Sequence, residues 1–407
     1  MQDWGSGYVT DLAYTEGFYP AQSPQRLALA AIVNGTEPPD VDRAFSYCEL
    51  GSGRGLTTLI LTAANPEAEF HGVDFNPAHI AHSQSQARAA GLTNIDWHEK
   101  SFGDLAGRGG DSFPMFDFIT MHGVWTWIAP EMQTAVLEFI DTHLKPGGLL
   151  FVSYNGMPAW NLAAPIQRIV KELAALSPGR SDVSINRAIE MLDSLVQAKM
   201  IPPRFQEGVK RLTEGPHRQN LTYLAHEYLN EHWKPAYHAD VARALATAKL
   251  SFVGCTSLLR NFRNLLLTEP QRALLDTLPN PELCETLKDF CVDQWFREDV
   301  YVRGSRRMTE ERRDSLLKML RLTMISPAPE TIEISGPEDT IWRPDPRAYR
   351  CFIAALQQRP HTVGELLSLP GLPPDHKVNA LELTSVLISC GFAAVSREPD
   401  RNAQACC

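Results

Sequence analysis

Tyr47-Cys48-Glu49-Leu50-Gly51-Ser52-Gly53-Arg54-Gly55 is the stretch on which the reading of the fold turns. An acidic residue and a Gly-x-Gly-x-Gly turn follow an apolar run at 45–50 and lead into residues 56–64, where Leu56, Leu59, Ile60 and Ala63 recur at helical spacing. The pattern predicts a strand, a tight turn and a helix. Glycine at 51, 53 and 55 lets the backbone bend sharply and approach a ligand with no Cβ in the way. The exposed amides at the start of the helix favour a carboxylate or another anion. A nicotinamide-binding turn would carry its third glycine one position later, where this chain has Leu56.

Outward from that turn, the rhythm repeats. Residues 70–74 read as a second strand; Asn76 can cap the next helix, Pro77 suits its first position and Gly91 can close it. Residues 95–98, 116–121 and 149–154 are three further strands, the last reached from a helix at 131–143 through the turn Lys145-Pro146-Gly147-Gly148. Strands alternating with helices at this spacing predict a parallel, doubly wound α/β sheet. Asp74 closes the second strand 23 residues after Gly51, where a carboxylate can accept hydrogen bonds from both hydroxyls of a ribose. Ser101 and Phe102, just beyond the third strand, stand where an adenine would lie.

Past Trp160 the character changes. Residues 162–235 read as mostly helical, with Ile166, Ile169, Val170, Leu173 and Leu176 at helical spacing, before a helix at 239–248 and a strand at 250–254 resume the earlier rhythm. A last strand is expected at 300–302, so the helical stretch is read as an insertion into the sheet domain. After residue 308, a hairpin at 330–334 and 340–342 flanks Gly336-Pro337 and precedes helices at 346–357, 362–369 and 376–390 and a short strand at 392–395, an order similar to a winged helix. Four segments result: 1–160, a core with an N-terminal cap; 161–235, a helical insertion acting as lid or dimer surface; 236–307, completion of the sheet; and 308–407, a winged-helix-like α+β domain.

Composition narrows the function. The chain has 407 residues, 44% hydrophobic and 21% charged, ample for a real core. With 38 basic against 48 acidic residues the net charge is -10, which argues against broad nucleic-acid binding. Residues 362–395 carry one lysine, no arginine and three acids, so the C-terminal helices are expected to meet protein or cover an apolar face and not to read DNA. The eight cysteines form no framework: Cys48 lies in an apolar run, Cys284 and Cys291 are seven apart, and Cys406 and Cys407 end a polar tail. They are read as reduced. The first eight residues lack a basic and an apolar region, and the strongest apolar run, 27–33, falls far short of the ~20 residues of a membrane span. A cytoplasmic location without membrane span is expected. His79 and His82 lie three apart with no further ligands in the sequence, so no metal is expected.

Residues 45–155 resemble the class I methyltransferases that use S-adenosylmethionine (SAM), with Glu49 to Gly55 as the first motif and Asp74 as the acid of the second. A narrower likeness is carried by Trp4-x-x-Gly7-Tyr8-Val9-Thr10-Asp11, Asp74-Phe75-Asn76-Pro77-x-His79-Ile80, His122-Gly123-Val124-Trp125-x-Trp127, Val152-Ser153-Tyr154-Asn155, Tyr223-Leu224-x-His226-Glu227-Tyr228-Leu229 and Asp299-Val300-Tyr301-Val302-Arg303. These are similar to bacterial methyltransferases with a methyltransferase regulatory domain, a family that includes protein-lysine N-methyltransferases. The likeness covers most of residues 1–307 and fades over the last hundred.

The resemblance implies a Rossmann-like class I sheet, SAM as cofactor, and methyl transfer to a nitrogen, with protein lysine as the acceptor. It places Glu49 at the glycine loop and the methionine amino group, the amides of Gly51, Ser52, Gly53 and Gly55 at the methionine carboxylate, and Asp74 on the ribose. Phe75 would stack on adenine, Ser101 and Phe102 would border its edge, and His122 and Gly123 would lie near the sulfur. An amine must lose a proton before it attacks, and a desolvated, aromatic pocket lowers its pKa. Tyr8, Tyr14, Tyr19, Trp125, Tyr154 and Trp160 are candidate walls, with His122 a candidate proton acceptor; His226 and Glu227 are read as a buried polar pair. A small-molecule methyltransferase with the insertion as lid, and a SAM-binding regulator or scaffold, are the rival readings. The insertion also offers a surface for a homodimer.

Overall fold

The computed structural model describes residues 5, 7–107, 112–215, 218–329 and 331–396, so Trp4, Ser6, Glu330, Cys406 and Cys407 lie outside the described residues. The chain divides into two compact units. The first holds residues 1–23, 39–252 and 280–304; the second gathers 24–38, 253–279 and 305–407, a division that cuts across the four sequence segments.

The first unit is built on β1 (Ser46–Leu50), β2 (Glu69–Asp74), β3 (Ile95–Glu99), β4 (Phe116–Met121), β5 (Leu144–Asn155), the first half of β6 (Leu250–Cys255) and β7 (Phe296–Arg303). Their order is β3-β2-β1-β4-β5-β7-β6. The pairs from β3 to β5 are parallel, and β7 runs antiparallel to β5. This is the doubly wound order of dinucleotide-type folds with one reversed strand added, as the alternating pattern predicted. The central strands β1, β4 and β5 are covered on both faces and almost wholly buried, whereas β3 at the edge mixes exposed and half-buried residues. Leu50, Ile119, Met121, Leu150 and Val152 meet Val136, Phe139, Ile140 and Leu245 in one buried cluster.

Two details differ from expectation. β5 starts at Leu144 and absorbs the Lys145-Pro146-Gly147-Gly148 turn, with a register shift against Phe116 and Phe118. In the helix Leu56–Ala64 the buried face is Thr57, Thr58, Leu61 and Thr62, whereas Ile60 is exposed. Hydrogen bonds make that burial possible: Thr58 donates to the Glu49 carboxylate, Thr62 to the Thr58 carbonyl at 2.7 Å, and Thr57 to the Gly17 carbonyl at 3.2 Å.

The insertion has its own core. The helices Ala164–Ala175, Ser181–Gln197, Gln206–Thr213 and Leu221–Tyr228 bury Ile166, Val170, Ile185, Leu192, Leu212 and Leu224 with Trp160. The segment leading into the fold is tied to it and to the sheet: Glu231 N–H donates to Gly7 O at 2.8 Å, Val9 N–H to Asn230 Oδ1 at 2.9 Å, and Tyr19 N–H to Thr57 Oγ1 at 3.1 Å. Residues far apart in sequence thereby converge over the carboxyl ends of β1 and β4.

In the second unit, β8 (Arg321–Met324) was not anticipated, β9 (Ile334–Ser335) and β10 (Ile341–Trp342) form the expected hairpin, and β11 (His361–Thr362) and β12 (Ala393–Ser396) pair antiparallel to either side of β8. The helices Pro346–Gln358, Val363–Leu367 and Ala380–Ser389 lie close to the expected ranges. Among the described residues no helix is long and apolar enough to cross a membrane.

Candidate active site

The glycine loop leaves β1 and turns over the end of β2. Gly51 N–H and Ser52 N–H both donate to Val73 O at 2.9 Å, and Gly53 N–H donates to Asp74 Oδ2 at 2.8 Å. Gly51 has φ +74°, and a Cβ there would come 2.6 Å from Val124 Cγ2. Gly55 has φ +79°, and a side chain there would strike Trp97 and Ser83. Both positions are closed to other residues by conformation and by space. Ser52 Oγ is buried in the loop with no protein partner among the described residues, so the loop keeps this polar atom for a ligand, whereas the Gly51, Ser52, Gly53 and Gly55 amides expected at a methionine carboxylate all donate within the protein, the last to Ser52 O at 3.0 Å.

Asp74 is held from two sides. Its Oδ1 accepts from Asn76 N–H at 2.9 Å and lies 3.2 Å from His79 Nδ1. A carboxylate offers about four lone-pair positions, so acceptor capacity remains toward the cleft it lines. Glu49 is buried beneath the loop, accepts from Gln22 Nε2 at 3.1 Å and from Thr58, and is pushed up to about 7 by its burial. Ser101 caps the short helix Phe102–Leu105 in a reciprocal pair with Asp104. A cleft of about 120 Å³ runs past Gly51, Gly53, Asp74, Phe75, Ser101, Phe102, His122 and Gly123. Its polar end, its ribose-sized carboxylate and its aromatic end fit SAM. Lys100, Trp127 and Met132 also line it and were missed by sequence reasoning, which had singled out Trp127 only within a family motif.

A second cavity, of about 900 Å³, shares Tyr14, His122, Gly123 and Trp127 with the cleft. Its aromatic walls are Tyr14, Tyr19, Trp160, Tyr223, Tyr228 and Phe296. Five carboxylates line it (Glu16, Glu207, Glu214, Glu227 and Glu298) against two cations, Lys210 and Arg211. The Arg211 guanidinium lies 4.0 Å from the ring centre of Trp295 and 4.8 Å from that of Trp160. His122, at the junction of the two spaces, is stacked on Tyr19 with centroids 4.0 Å apart, and its Nδ1 is 3.0 Å from Ser153 Oγ. Burial pushes its imidazole down to about 4, so it is neutral at pH 7.

Two expected walls are absent from both spaces. Trp125 is 4% exposed and packs in the sheet's core cluster. Tyr154 is 0% exposed and points to the opposite side of β5, where its hydroxyl donates to Asp299 at 2.7 Å. Alternation along the strand explains it: Ser153 and Asn155 face the site, and the residue between them faces away. Asp299 and Asp289 are in turn paired with the buried Arg297 at 2.9 and 2.6 Å. The reverse correction applies to Glu227. The pair expected to be buried separates: His226 packs beside the rings of Tyr8 and Tyr14 at 5.5 and 5.0 Å, whereas Glu227 lines the large cavity. Glu69, His71 and Asp96 bring potential ligand atoms within 4.8 Å of one another elsewhere, but His71 already bonds Glu69 and His98, at 3.1 and 3.0 Å.

Family profiles and relatives agree with this geometry. One described as a methyltransferase domain matches residues 48–150, and one described as a predicted methyltransferase regulatory domain matches residues 220–303. The Synechocystis protein sll1526 is 32% identical over 385 residues, covering 94% of this chain and 74% of that protein. Trans-aconitate 2-methyltransferase of Azoarcus sp. is 30% identical over 132 residues, 32% of this chain and 46% of that enzyme. The structure of PKMT2 from Rickettsia typhi in complex with AdoHcy superposes with a TM-score of 0.70 at 20% identity, covering 95% of this chain and 77% of that one, which establishes a common fold.

Proposed function

The chain belongs to the class I SAM-dependent methyltransferases that carry a methyltransferase regulatory domain, and from that premise we propose that its acceptor is an amine, the lysine side chain of a protein. The observation that carries this reading is the second cavity: five carboxylates against two cations, walled by aromatic rings, and joined to the cleft at His122 and Gly123. Such a lining attracts an ammonium over long range and holds it by cation–π contact once desolvated. The near full-length likeness to PKMT2 supports the same reading. SAM is the methyl donor. Glu49, Gly51, Ser52, Gly53, Gly55, Asp74, Phe75, Ser101, Phe102, His122 and Gly123 are proposed to hold it, with Tyr14 at the passage between donor and acceptor.

A small carboxylic acid acceptor is the reading suggested by the local match to trans-aconitate 2-methyltransferase. Charge weighs against it, because a polyanion would meet Glu207, Glu214, Glu227 and Glu298 against Lys210 and Arg211, with Glu16 paired to Arg54 at 2.9 Å. The test is transfer of radiolabelled methyl from SAM into lysate of a host strain lacking the gene. Label in discrete protein bands, mapped to lysine by mass spectrometry, is the expected result; label confined to small molecules would overturn the protein-lysine reading.

A further inference from the structure

We infer that Glu227 is the group that takes the proton from the acceptor ammonium. The inference rests on the amine reading above and names the residue that makes such an acceptor reactive.

Geometry comes first. Glu227 lies on the helix Leu221–Tyr228 and lines the same cavity as Tyr14, Tyr19, His122 and Gly123. Asn155 Nδ2 donates to its Oε1 at 3.0 Å. Asn155 ends β5, two residues beyond Ser153, and Ser153 Oγ accepts from Gly123 N–H at 2.8 Å. One strand end therefore holds both the donor-side turn at Gly123 and the Glu227 carboxylate.

The other groups at the junction are poor proton acceptors. With Ser153 Oγ accepting from Gly123, the simplest assignment puts the serine hydrogen on His122 Nδ1, leaving His122 Nε2–H as a donor. The same imidazole is held down to about 4. Burial raises the phenols of Tyr14, Tyr19, Tyr223 and Tyr228, which stay protonated and neutral. Around Glu227 stand Tyr8, Tyr14, Tyr223 and Tyr228, the Asn155 amide, the Trp233 indole and the Arg211 guanidinium. Burial raises its carboxyl to about 7, more than Asn155, Arg211 and Trp233 lower it. A base of that strength is matched to neutral pH.

The step balances. The ammonium N–H bond breaks and its proton passes to a Glu227 carboxylate oxygen. The freed nitrogen lone pair forms the new N–C bond, the C–S electron pair stays on sulfur, and the products are a methylated ammonium and S-adenosylhomocysteine.

The test uses the full chain, radiolabelled SAM, and two acceptors, poly-L-lysine and protein from the gene-deleted lysate, between pH 6 and 9. Wild-type turnover is expected to rise through about pH 7 and level off, because the ionised form of Glu227 does the work. Glu227→Gln should lower kcat about 10²-fold or more with SAM affinity unchanged. Its residual rate should climb about tenfold per pH unit toward pH 9, since only solvent then supplies the free amine, whose unperturbed pKa is about 10.4. Glu227→Asp should restore part of the rate and the level limb. A Glu227→Gln enzyme that keeps kcat within about threefold, or keeps the wild-type pH profile, overturns the role. So does a parallel loss of SAM affinity, which would make Glu227 a structural support of the donor cleft. Wild-type enzyme that labels neither acceptor at any pH removes the amine reading itself, a separate failure.

Discussion

The proposed donor cleft and the proposed acceptor cavity meet at four residues yet are built in opposite ways. The polar end of the cleft is local: Gly51 and Gly53 of the glycine loop, Asp74 and Phe75 at the end of β2, and Ser101 and Phe102 at the start of the helix Phe102–Leu105 line it, while Tyr8, Tyr14, His122 and Trp127 are among the residues that close the rest. Its chemistry lies largely in one carboxylate, Asp74, which the loop itself orients through Gly53 N–H. The acceptor cavity takes side chains from the segment at 14–19, the ends of β4 and β5, two insertion helices and β7. The contrast teaches that binding a constant donor needs a short motif, whereas an acceptor pocket of specific charge needs the whole unit.

Breaking the local half should have the largest effect. Asp74→Ala removes the acceptor of one proposed charge-assisted hydrogen bond to the ribose, worth about 1.5–3 kcal/mol, and of the bond from Gly53 N–H that holds the loop, so SAM affinity should fall about 10²-fold or more. Calorimetric titration that gives an unchanged Kd would refute the ribose assignment. On the non-local half, Arg297→Met strands Asp289 and Asp299 as buried charges and should cost about 3–5 kcal/mol in urea unfolding. Because Arg297 lies between Phe296 and Glu298 of the cavity wall, the folded fraction should keep its SAM affinity and show a raised acceptor KM. Equal losses in both would mean the two halves are not separable.

Smaller changes sharpen the same contrast. Gly51→Ala combines a left-handed backbone with overlap at Val124 and should cost about 1–3 kcal/mol along with SAM binding. Gly91→Ala, at φ +65° with open space around it, should cost about 1 kcal/mol or less and leave binding alone. Identical SAM titrations for the two would show that the loop does not touch the donor. Smallest of all, Tyr154→Phe removes one hydrogen bond to Asp299 and should lower stability by about 1 kcal/mol. A marked change in kcat at constant folded fraction would return Tyr154 to the reaction.

The reading from sequence was strongest where one motif makes one structure. The alternation of strands and helices, the glycine turn, Asp74 and the Asn76 cap were all legible, because each depends on residues only a few positions apart. It failed where a face had to be chosen. Leu56, Leu59, Ile60 and Ala63 looked like the inner face of a helix, yet hydrogen-bonded threonines take that place under Glu49. Trp125 and Tyr154 looked like pocket walls because they adjoin the right motifs, but Trp125, in the turn after β4, packs into the core cluster, and Tyr154 points away from its strand neighbours Ser153 and Asn155.

What the sequence by itself determined is the class of fold, the donor and the form of the loop proposed to receive it, since backbone conformation and the adjoining carboxylate are encoded in contiguous residues. What only the tertiary structure decided is the acceptor side. Glu227 stands 72 positions from Asn155 along the chain. The burial that raises its carboxyl depends on groups brought in from residues as distant as Tyr8, and no local pattern records a desolvation made by the rest of the fold.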